Sequence, residues 1–362
     1  MPSMIKVLVV DDSALIRQML LRALSVDPRI EVVGTAKTGV EAIEKAVTLN
    51  PDVITLDVEM PEMTGTEALP HIIRSTRARV VILSSIDDPD TTYQALSLGA
   101  VDFITKPKAG FATSLSELSE LLLKKIRTAY RVNPDRRIMA RMDADTGASE
   151  TQVERPRLVV PRPSTPAGAL RKVVAFAAST GGPPALEAVF SGLSADLPSA
   201  YLVVQHLPAG FTASLAKRLG KVTDIRVVEG AQGMPIEVST AYIAPHGTHM
   251  VVEGNKRPRL HLVEGPTIHG VKPAADPLLK SVAAVFGARS VGVVLTGMGS
   301  DGARGLNDIR AIGGDTIVQD EETSVVWGMP GAASKIGAAG RIVPLSGIAA
   351  EVRRALREEV LR

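Results

Sequence analysis

The sequence contains no cysteine among its 362 residues, which excludes disulfide bonds, thiolate metal sites and a cysteine nucleophile. Aromatic residues make up only 3%, which argues against stacking platforms for single-stranded nucleic acid. The formal net charge of +2 excludes a nucleic-acid binder that works through bulk positive charge. No apolar run reaches the length of a membrane span, and the N-terminal residues lack the features of a signal peptide. We therefore expect a soluble, cytoplasmic protein without direct membrane insertion.

The length suggests two domains, at roughly 150 residues for each. Up to residue 128, short β-rich runs alternate with amphipathic helical patterns, which predicts a parallel sheet with helices on both faces. Five such units predict one compact doubly wound α/β domain over residues 1–128. The predicted strands are Ile5–Val10, Ile30–Thr35, Val53–Leu56, Val80–Ser84 and Asp102–Thr105.

A change of composition separates the two halves. The stretch from about Arg131 to Gly168 contains five prolines, many polar residues and no apolar period. We interpret residues 129–170 as an interdomain linker, partly extended because of its prolines, although a loop or helix tail of one domain is the alternative. From Lys172 the α/β alternation resumes, which predicts a second domain over residues 171–362. Its predicted strands are Val173–Ala178, Tyr201–Gln205, Ala241–Ala244, Val291–Thr296, Thr316–Gln319 and Arg341–Pro344.

Polar and charged residues follow four of the five predicted strands of the first half. Asp11 and Asp12 come after the first strand, and Asp57 follows the third. Three carboxylates at one sheet edge repel each other unless a cation binds, and their hard oxygen atoms suit Mg²⁺. Ser84 and Lys106, after the fourth and fifth strands, could hold a phosphoryl group placed on one aspartate. Taken singly, each aspartate could instead cap a helix, and the lysine could be a surface charge.

Residues 4–128 strongly resemble a response-regulator receiver domain, which implies a flavodoxin-like five-stranded fold. The resemblance implies that Asp57 is the phosphoacceptor and that a histidine kinase is the phosphodonor. It also assigns Ser84, Phe103 and Lys106, which precedes Pro107, to the switch that responds to phosphorylation.

The same resemblance implies a Mg²⁺ site in the receiver domain. Asp12, Asp57 and the backbone carbonyl of Glu59 would bind the ion, and Asp11 would act largely through water.

Three residues of the second half follow predicted buried strands and would face one cleft. Ser179 lies between a strand and a helix start, where free N–H groups favour a developing negative charge. His206 ends the next strand and could be a general base. Asp301, in the glycine-rich loop after a third strand, could orient that histidine. Together they predict a hydrolytic Ser-His-Asp arrangement, in a chain order and with an elbow unlike those of α/β-hydrolases.

Each of these residues also has a plainer interpretation. Ser179 could cap a helix, His206 could be a hydrogen-bonded loop histidine, and the glycine-rich loop could bind phosphate or cap a helix. His246 and His249 are rival histidines whose spacing could suit a metal, but no acidic residue stands beside them.

Residues 172–350 resemble the catalytic domain of the chemotaxis protein-glutamate methylesterase (CheB) family, which implies a three-layer α/β/α, mainly parallel-sheet esterase domain. The resemblance assigns the nucleophile to Ser179, the base to His206 and the third member to Asp301, with oxyanion donors near Thr180 and the backbone of Met298. The matching segments are ASTGG at 178–182, QHLPAGFT at 205–212, AYIAP at 241–245 and LTGMGSDGA at 295–303.

One position departs from the family pattern. The family usually has glycine where this chain has Ala177, which adds a methyl group near the elbow. This methyl group could tighten the turn, and we expect the chemistry to survive it.

The resemblance implies phosphorylation-activated hydrolysis of glutamate γ-methyl esters on chemoreceptors, with glutamine deamidation and without a cofactor for the esterase step. We expect the unphosphorylated receiver to cover the esterase cleft. A transcription regulator is the rival class, but the second half is far longer than a helix-turn-helix module and has no basic recognition helix. A phosphate-ligand sensor that uses the two glycine-rich loops is a third possibility.

Overall fold

The computed structural model describes residues 4–85, 87–106, 115–133 and 170–358. The chain splits into two compact units, and each contains one of the two larger β-sheets. No helix in the described ranges is both long and apolar enough to cross a membrane.

The first domain is a five-stranded sheet with strand order β2-β1-β3-β4-β5, in which every pairing is parallel. This is the predicted doubly wound fold. Its five strands match the predictions closely, because strands buried on both faces of a parallel sheet have continuous apolar runs. The strands are β1 (Ile5–Val10), β2 (Ile30–Ala36), β3 (Val53–Asp57), β4 (Arg79–Ser84) and β5 (Asp102–Thr105). The helices are α1 (Ala14–Leu24), α2 (Gly39–Leu49), α3 (Gly65–Ser75), α4 (Pro89–Ser97) and α5 (Leu115–Arg131).

Hydroxyl side chains start three of these helices. The side chains of Ser13, Thr38 and Thr64 each accept a hydrogen bond from a backbone N–H of the first turn. Thr64 also forms a reciprocal capping box with Glu67. The helix starts after β1, β2 and β3 are therefore encoded locally in the sequence.

The second domain is a seven-stranded parallel sheet with strand order β14-β13-β12-β6-β7-β9-β8, accompanied by a separate antiparallel hairpin, β10-β11. The strands of the large sheet are β6 (Lys172–Ala178), β7 (Ser199–Gln205), β8 (Arg226–Glu229), β9 (Thr240–Ile243), β12 (Ser290–Val294), β13 (Asp315–Gln319) and β14 (Arg341–Val343); the hairpin is β10 (His249–Glu253) and β11 (Arg259–Val263). The helices are α6 (Gly182–Ser191), α7 (Phe211–Leu219), α8 (Ala275–Phe286), α9 (Ala303–Ala311), α10 (Met329–Lys335) and α11 (Leu345–Arg357), with a 3₁₀ turn at Gly287–Arg289.

Helices cover both faces of this sheet. Successive residues of β6 point to opposite faces. Phe176 packs against Phe190 of α6 with 5.6 Å between ring centroids. Its neighbour Ala175 belongs to the buried cluster that contains Leu279 of α8 and Leu306 of α9. The arrangement confirms the predicted three-layer α/β/α fold.

Several elements of the second domain were not predicted from the sequence. Edge strand β8 is mostly half-buried and lacks a continuous apolar run, and the β10-β11 hairpin has an irregular burial pattern. Helix α10 has only seven residues and contains Gly331.

Helix α5 of the first domain continues to Arg131, past the predicted domain end at 128. Most of the predicted linker, residues 134–169, lies outside the described residues, so its boundaries stay a prediction.

Asp27 joins the turn between α1 and β2 to helix α5. Its buried carboxylate accepts hydrogen bonds from Arg29 Nε at 3.1 Å and from Arg127 Nε at 2.8 Å. The hydrogen bonds from Arg29 and then Arg127 hold the pKa of Asp27 well below its usual range, although burial acts in the opposite direction.

We expect Asp27→Asn to weaken the first domain. A carboxylate whose pKa is depressed by folding stabilises the fold above its unfolded pKa of about 3.9, and this stabilisation is lost as the pH falls. At pH 7 the loss should be about 1–2 kcal/mol, since both arginines are partly exposed and screened. Hydrogen exchange of the β1 and β3 amides in the full-length protein measures it, with Glu44→Gln on the exposed face of α2 as the control. Equal protection of Asp27→Asn and wild type at pH 7 would contradict this expectation.

Candidate functional site

Three neighbouring strands of the second domain bring Ser179, His206 and Asp301 to one sheet edge. Ser179 directly follows β6, His206 directly follows β7, and Asp301 lies in the loop between β12 and α9. Since β12, β6 and β7 are adjacent and parallel, their carboxyl ends lie side by side, where open α/β sheets place their sites.

The carboxylate of Asp301 is buried and fully hydrogen-bonded. Its Oδ2 lies 2.8 Å from His206 Nε2 and accepts from Ala275 N at 2.6 Å. Its Oδ1 accepts from Asp276 N at 3.0 Å and from Gly302 N at 2.9 Å. Because an ionised carboxylate only accepts, His206 Nε2 carries the proton of this contact, and Nδ1 is left as the nitrogen that can accept one.

The surroundings of Asp301 favour its ionised form. Burial raises the pKa of the carboxyl, but the hydrogen bond and charge of His206, with the N–H groups of Ala275 and Asp276, outweigh it and give a net lowered pKa. These two N–H groups belong to the first turn of α8, whose positive dipole end acts in the same direction.

The backbone of Ser179 is held from two sides. Its N–H donates to the carbonyl of Thr296 at 3.0 Å, and its carbonyl accepts from Gln205 Nε2 at 2.8 Å. Among the described residues, the Ser179 hydroxyl makes no hydrogen bond, including none to His206, whose Nε2 pairs with Asp301. Gln205 was not among the predicted site residues, although a polar residue at the end of an apolar strand, directly before His206, was a signal in the sequence.

The loop after β12 packs directly against Ser179. Gly297 donates to the carbonyl of Val326 at 3.0 Å and accepts from Met329 N at 2.8 Å. A Cβ atom at Gly297 would clash with Met329 Sδ and would lie 2.8 Å from Ser179 Cβ. Met298, a predicted oxyanion donor, is the next residue along this loop, and Thr180, the other, directly follows Ser179.

The methyl group of Ala177 faces a glycine. Ala177 is fully buried in β6, and a Cβ on Gly302 would lie 3.0 Å from its methyl carbon. Gly302 has a φ of +83°, in the left-handed region. The departure from the family pattern is therefore accommodated next to Asp301.

The rival histidines do not form a metal site in the described structure. His249 is buried; its Nε2 lies 3.0 Å from the carbonyl of Pro266, and its Nδ1 accepts from Ala274 N at 3.1 Å. Both ring nitrogens are therefore used, and neither His249 nor the exposed His246 belongs to a group of possible metal ligands.

A second group of charged residues lies at the carboxyl edge of the first sheet. Oxygen atoms of Asp11, Asp12 and Asp57 lie within 4.8 Å of one another. Lys106 Nζ lies 2.5 Å from Asp57 Oδ2 and 2.9 Å from Asp11 Oδ2. Burial raises the pKa of Asp57 to about 6; the charge of Asp11 also raises it, and the contact with Lys106 lowers it. Burial lowers the pKa of Lys106, but its contacts with Asp57 and Asp11 outweigh this and raise it.

This group fits a divalent cation. The group has three carboxylates and one ammonium, and Lys106 contacts only the two buried ones, Asp11 and Asp57. The uncompensated negative charge and the hard oxygen donors suit Mg²⁺. Glu59 is exposed, and its backbone N–H donates to Asp57 Oδ1 at 3.2 Å, which places the backbone of Glu59 beside the predicted phosphoacceptor.

Two of the three predicted switch residues, Ser84 and Phe103, are buried in the first domain, and the third, Lys106, is half-buried. The hydroxyl of Ser84 donates to the carbonyl of Ser85 at 3.0 Å and is paired with the hydroxyl of Thr92 in α4. Phe103 lies in β5, with Lys125 Nζ 5.4 Å from its ring centroid.

Comparison with known proteins matches both halves of the chain. Residues 7–112 match the response regulator receiver domain, and residues 174–352 match the CheB methylesterase family. The chain is 44% identical to a protein-glutamate methylesterase/protein-glutamine glutaminase of Pyrococcus horikoshii, over 99% of this chain and 95% of that protein. It is 44% identical to protein-glutamate methylesterase/protein-glutamine glutaminase 1 of Xanthomonas campestris, over 95% of both chains. The crystal structure of the Thermotoga maritima CheB methylesterase catalytic domain is 34% identical, with a TM-score of 0.49, and covers 51% of this chain and 97% of that one.

We expect Gly297→Ala to impair Ser179. The added methyl group would meet both the sulfur of buried Met329 and Ser179 Cβ, so both residues must shift, and a displacement of about 1 Å costs a reacting group on the order of 100-fold in rate. Labelling of Ser179 by a fluorophosphonate probe measures its reactivity. Gly265→Ala, which meets no atom within 4 Å, is the matched control. Equal labelling rates for both variants would show that the loop does not hold Ser179.

Proposed function

The chain belongs to the CheB methylesterase family, with a response regulator receiver domain before the esterase domain, and we propose that it hydrolyses glutamate γ-methyl esters on the cytoplasmic region of methyl-accepting chemoreceptors. The observation that carries this proposal is the His206–Asp301 pair, which lies at the same sheet edge as a serine with a fixed backbone and an unengaged hydroxyl. Deamidation of glutamine at the same receptor positions is part of the proposal.

The reaction begins with attack of Ser179 Oγ on the ester carbonyl carbon. His206 Nδ1 accepts the hydroxyl proton, and Asp301 stabilises the resulting imidazolium through its contact with Nε2. Asp301 stays ionised throughout, in keeping with its lowered pKa.

The tetrahedral intermediate needs N–H donors for its oxyanion. We assign them to the backbone near Thr180 and to the backbone of Met298. Collapse of the intermediate breaks the bond to the methoxy oxygen, which leaves as methanol with the proton held by His206. With a glutamine substrate the leaving group is ammonia.

Water completes the cycle. It attacks the acyl-enzyme as His206 takes its proton, and collapse of the second intermediate returns that proton to Ser179 Oγ and releases a glutamate carboxylate. No step of this sequence requires a cofactor.

The receiver domain would control this activity. Asp57 would accept a phosphoryl group from a histidine kinase of the chemosensory pathway, with Ser84, Phe103 and Lys106 as the switch. We propose that the unphosphorylated receiver covers the esterase cleft and that phosphorylation shifts the population to an open form.

Phosphorylation would use Mg²⁺. When bound, the ion supplies positive charge that neutralises the carboxylates and the incoming phosphoryl group. The proposed ligands are Asp12, Asp57 and the backbone carbonyl of Glu59, with Asp11 acting largely through water.

Replacement of the nucleophile should abolish the reaction. Ser179→Ala is expected to lower methanol release from methylated chemoreceptor membranes by about 10⁴-fold or more, because the nucleophile and its base act as one unit. The Gly265→Ala protein, prepared in the same way, is the control and should release methanol at the wild-type rate. Methanol release by Ser179→Ala at the wild-type rate would refute the mechanism.

Phosphorylation should raise activity only when Asp57 is present. A small-molecule phosphodonor with Mg²⁺ is expected to increase methanol release by wild type and to leave Asp57→Asn at its basal rate. A fragment of residues 170–362 should exceed the unphosphorylated full-length protein. If fragment and unphosphorylated protein were equally active, the receiver would not inhibit the esterase.

A further inference from the structure

Helices α8 and α9 begin beside Asp301 without caps of their own. The N-cap positions are Ala274 for α8 and Gly302 for α9, and neither supplies a side-chain hydrogen bond. The first N–H groups of a helix have no partner within the helix, and in a buried place they need one from elsewhere.

Two carboxylates provide these partners reciprocally. Asp301, which directly precedes the N-cap residue of α9, accepts from the N–H groups of Ala275 and Asp276 in the first turn of α8. The side chain of Asp276 in turn accepts from Gly305 N of α9 at 2.8 Å. Asp301, which precedes α9, therefore caps α8, and Asp276, which belongs to α8, caps α9. These hydrogen bonds connect the two helix starts.

His269 completes the contacts of Asp276. His269 Nε2 lies 2.8 Å from Asp276 Oδ2, and because a carboxylate only accepts, this nitrogen carries the proton. The side chain of His269 is 27% exposed and that of Asp276 is 13% exposed. His269 has a φ of +55°, an uncommon backbone conformation for a residue other than glycine.

The same three residues could be taken for a metal site, since ligand atoms of His269, Asp276 and Asp301 lie within 4.8 Å of one another. The hydrogen bonds of Asp301 argue against this. Each of its oxygen atoms already contacts two donors, which uses about all four lone-pair sites of a carboxylate. A cation would have to displace either His206 or the N–H groups of helix starts.

We propose that Asp276 and His269 are positioning residues that fix the orientation of Asp301 and, through it, of His206. The inference rests on the proposed function and deepens it. Asp276 holds the start of α9, next to Asp301, and its backbone N–H holds Asp301 Oδ1. His269 keeps the Asp276 side chain in the conformation that does so. Loosening either residue lets the carboxylate turn away from His206 Nε2.

Kinetics of full-length variants test the proposal. Asp276→Ala is expected to lower kcat by about 10- to 100-fold, as outer residues that orient a reacting group commonly do, with KM changed by about twofold or less. His269→Asn keeps a residue that tolerates the left-handed backbone but is too short to reach Asp276, and it should lower kcat by about tenfold. His269→Gln, whose amide nitrogen can take the place of Nε2, should restore most of the activity.

The control is a carboxylate with a similar local role elsewhere in the domain. Asp224 accepts a loop N–H from Ala195 at 2.9 Å, at the opposite edge of the sheet, where β7 and β8 begin. Asp224→Ala should leave kcat and KM unchanged.

A proton NMR signal supplies a readout that does not need activity. The proton between His206 Nε2 and Asp301 should resonate far downfield, and His206→Ala identifies the signal by its loss. We expect Asp276→Ala and His269→Asn to shift or broaden it and His269→Gln and Asp224→Ala to preserve it. If Asp276→Ala does not fold, the two His269 variants decide the question.

The outcomes separate the two proposals. Unchanged kcat together with an unchanged signal in His269→Asn and in any folded Asp276→Ala would overturn the positioning role. Absence of methanol release by the wild type would overturn the proposed function, and the NMR signal would still test whether Asp276 and His269 hold Asp301.

Discussion

Parallel pairing of strands delivers the carboxyl end of every strand to one edge of its sheet, and both sites of this protein depend on that constraint. In the first sheet it gathers Asp11, Asp57 and Lys106 from β1, β3 and β5. In the second it gathers residues that follow β6, β7 and β12, which are far apart in sequence. The apolar strands thus position the polar side chains of both sites, because strand pairing determines which loops become neighbours.

The two sites treat a buried aspartate in opposite ways. Burial and the neighbouring Asp11 raise the pKa of Asp57. The protein's own groups therefore do not fully compensate the negative charge of Asp57, which favours binding of a cation. Asp301 is equally buried, yet His206 and the N–H groups at the start of α8 lower its pKa. The difference comes from what each carboxylate meets, and it matches the proposed roles of an aspartate that is modified and one that stays charged.

Local sequence patterns were sufficient for most of the fold and for the residues that directly follow strands. The apolar runs of β6 and β7 predicted the positions of these strands, and Ser179 and His206 directly follow them. The edge strand β8 and the hairpin β10-β11 escaped prediction because partial exposure removes the apolar run. Asp276 and His269 escaped for a different reason. The importance of Asp276 comes from its contacts with Asp301 and Gly305, more than twenty residues further along the chain, and His269 acts only through Asp276; no local pattern encodes this arrangement.

The reciprocal caps also affect what can be inferred about the activity of related proteins from their residues at these positions. Most residues of an active site can be lost without harm to folding once selection for the reaction ends, and their loss often stabilises the protein. Asp301 differs, since its removal would leave the buried start of α8 without partners. A descendant that had lost the reaction would still be held to an aspartate at this position by folding alone. The hydroxyl of Ser179 makes no hydrogen bond within the described chain, so folding places no comparable demand on it. In a relative of unknown activity, a serine at the position of Ser179 is therefore better evidence for the hydrolytic reaction than an aspartate at the position of Asp301. The aspartate chiefly indicates that the fold is kept.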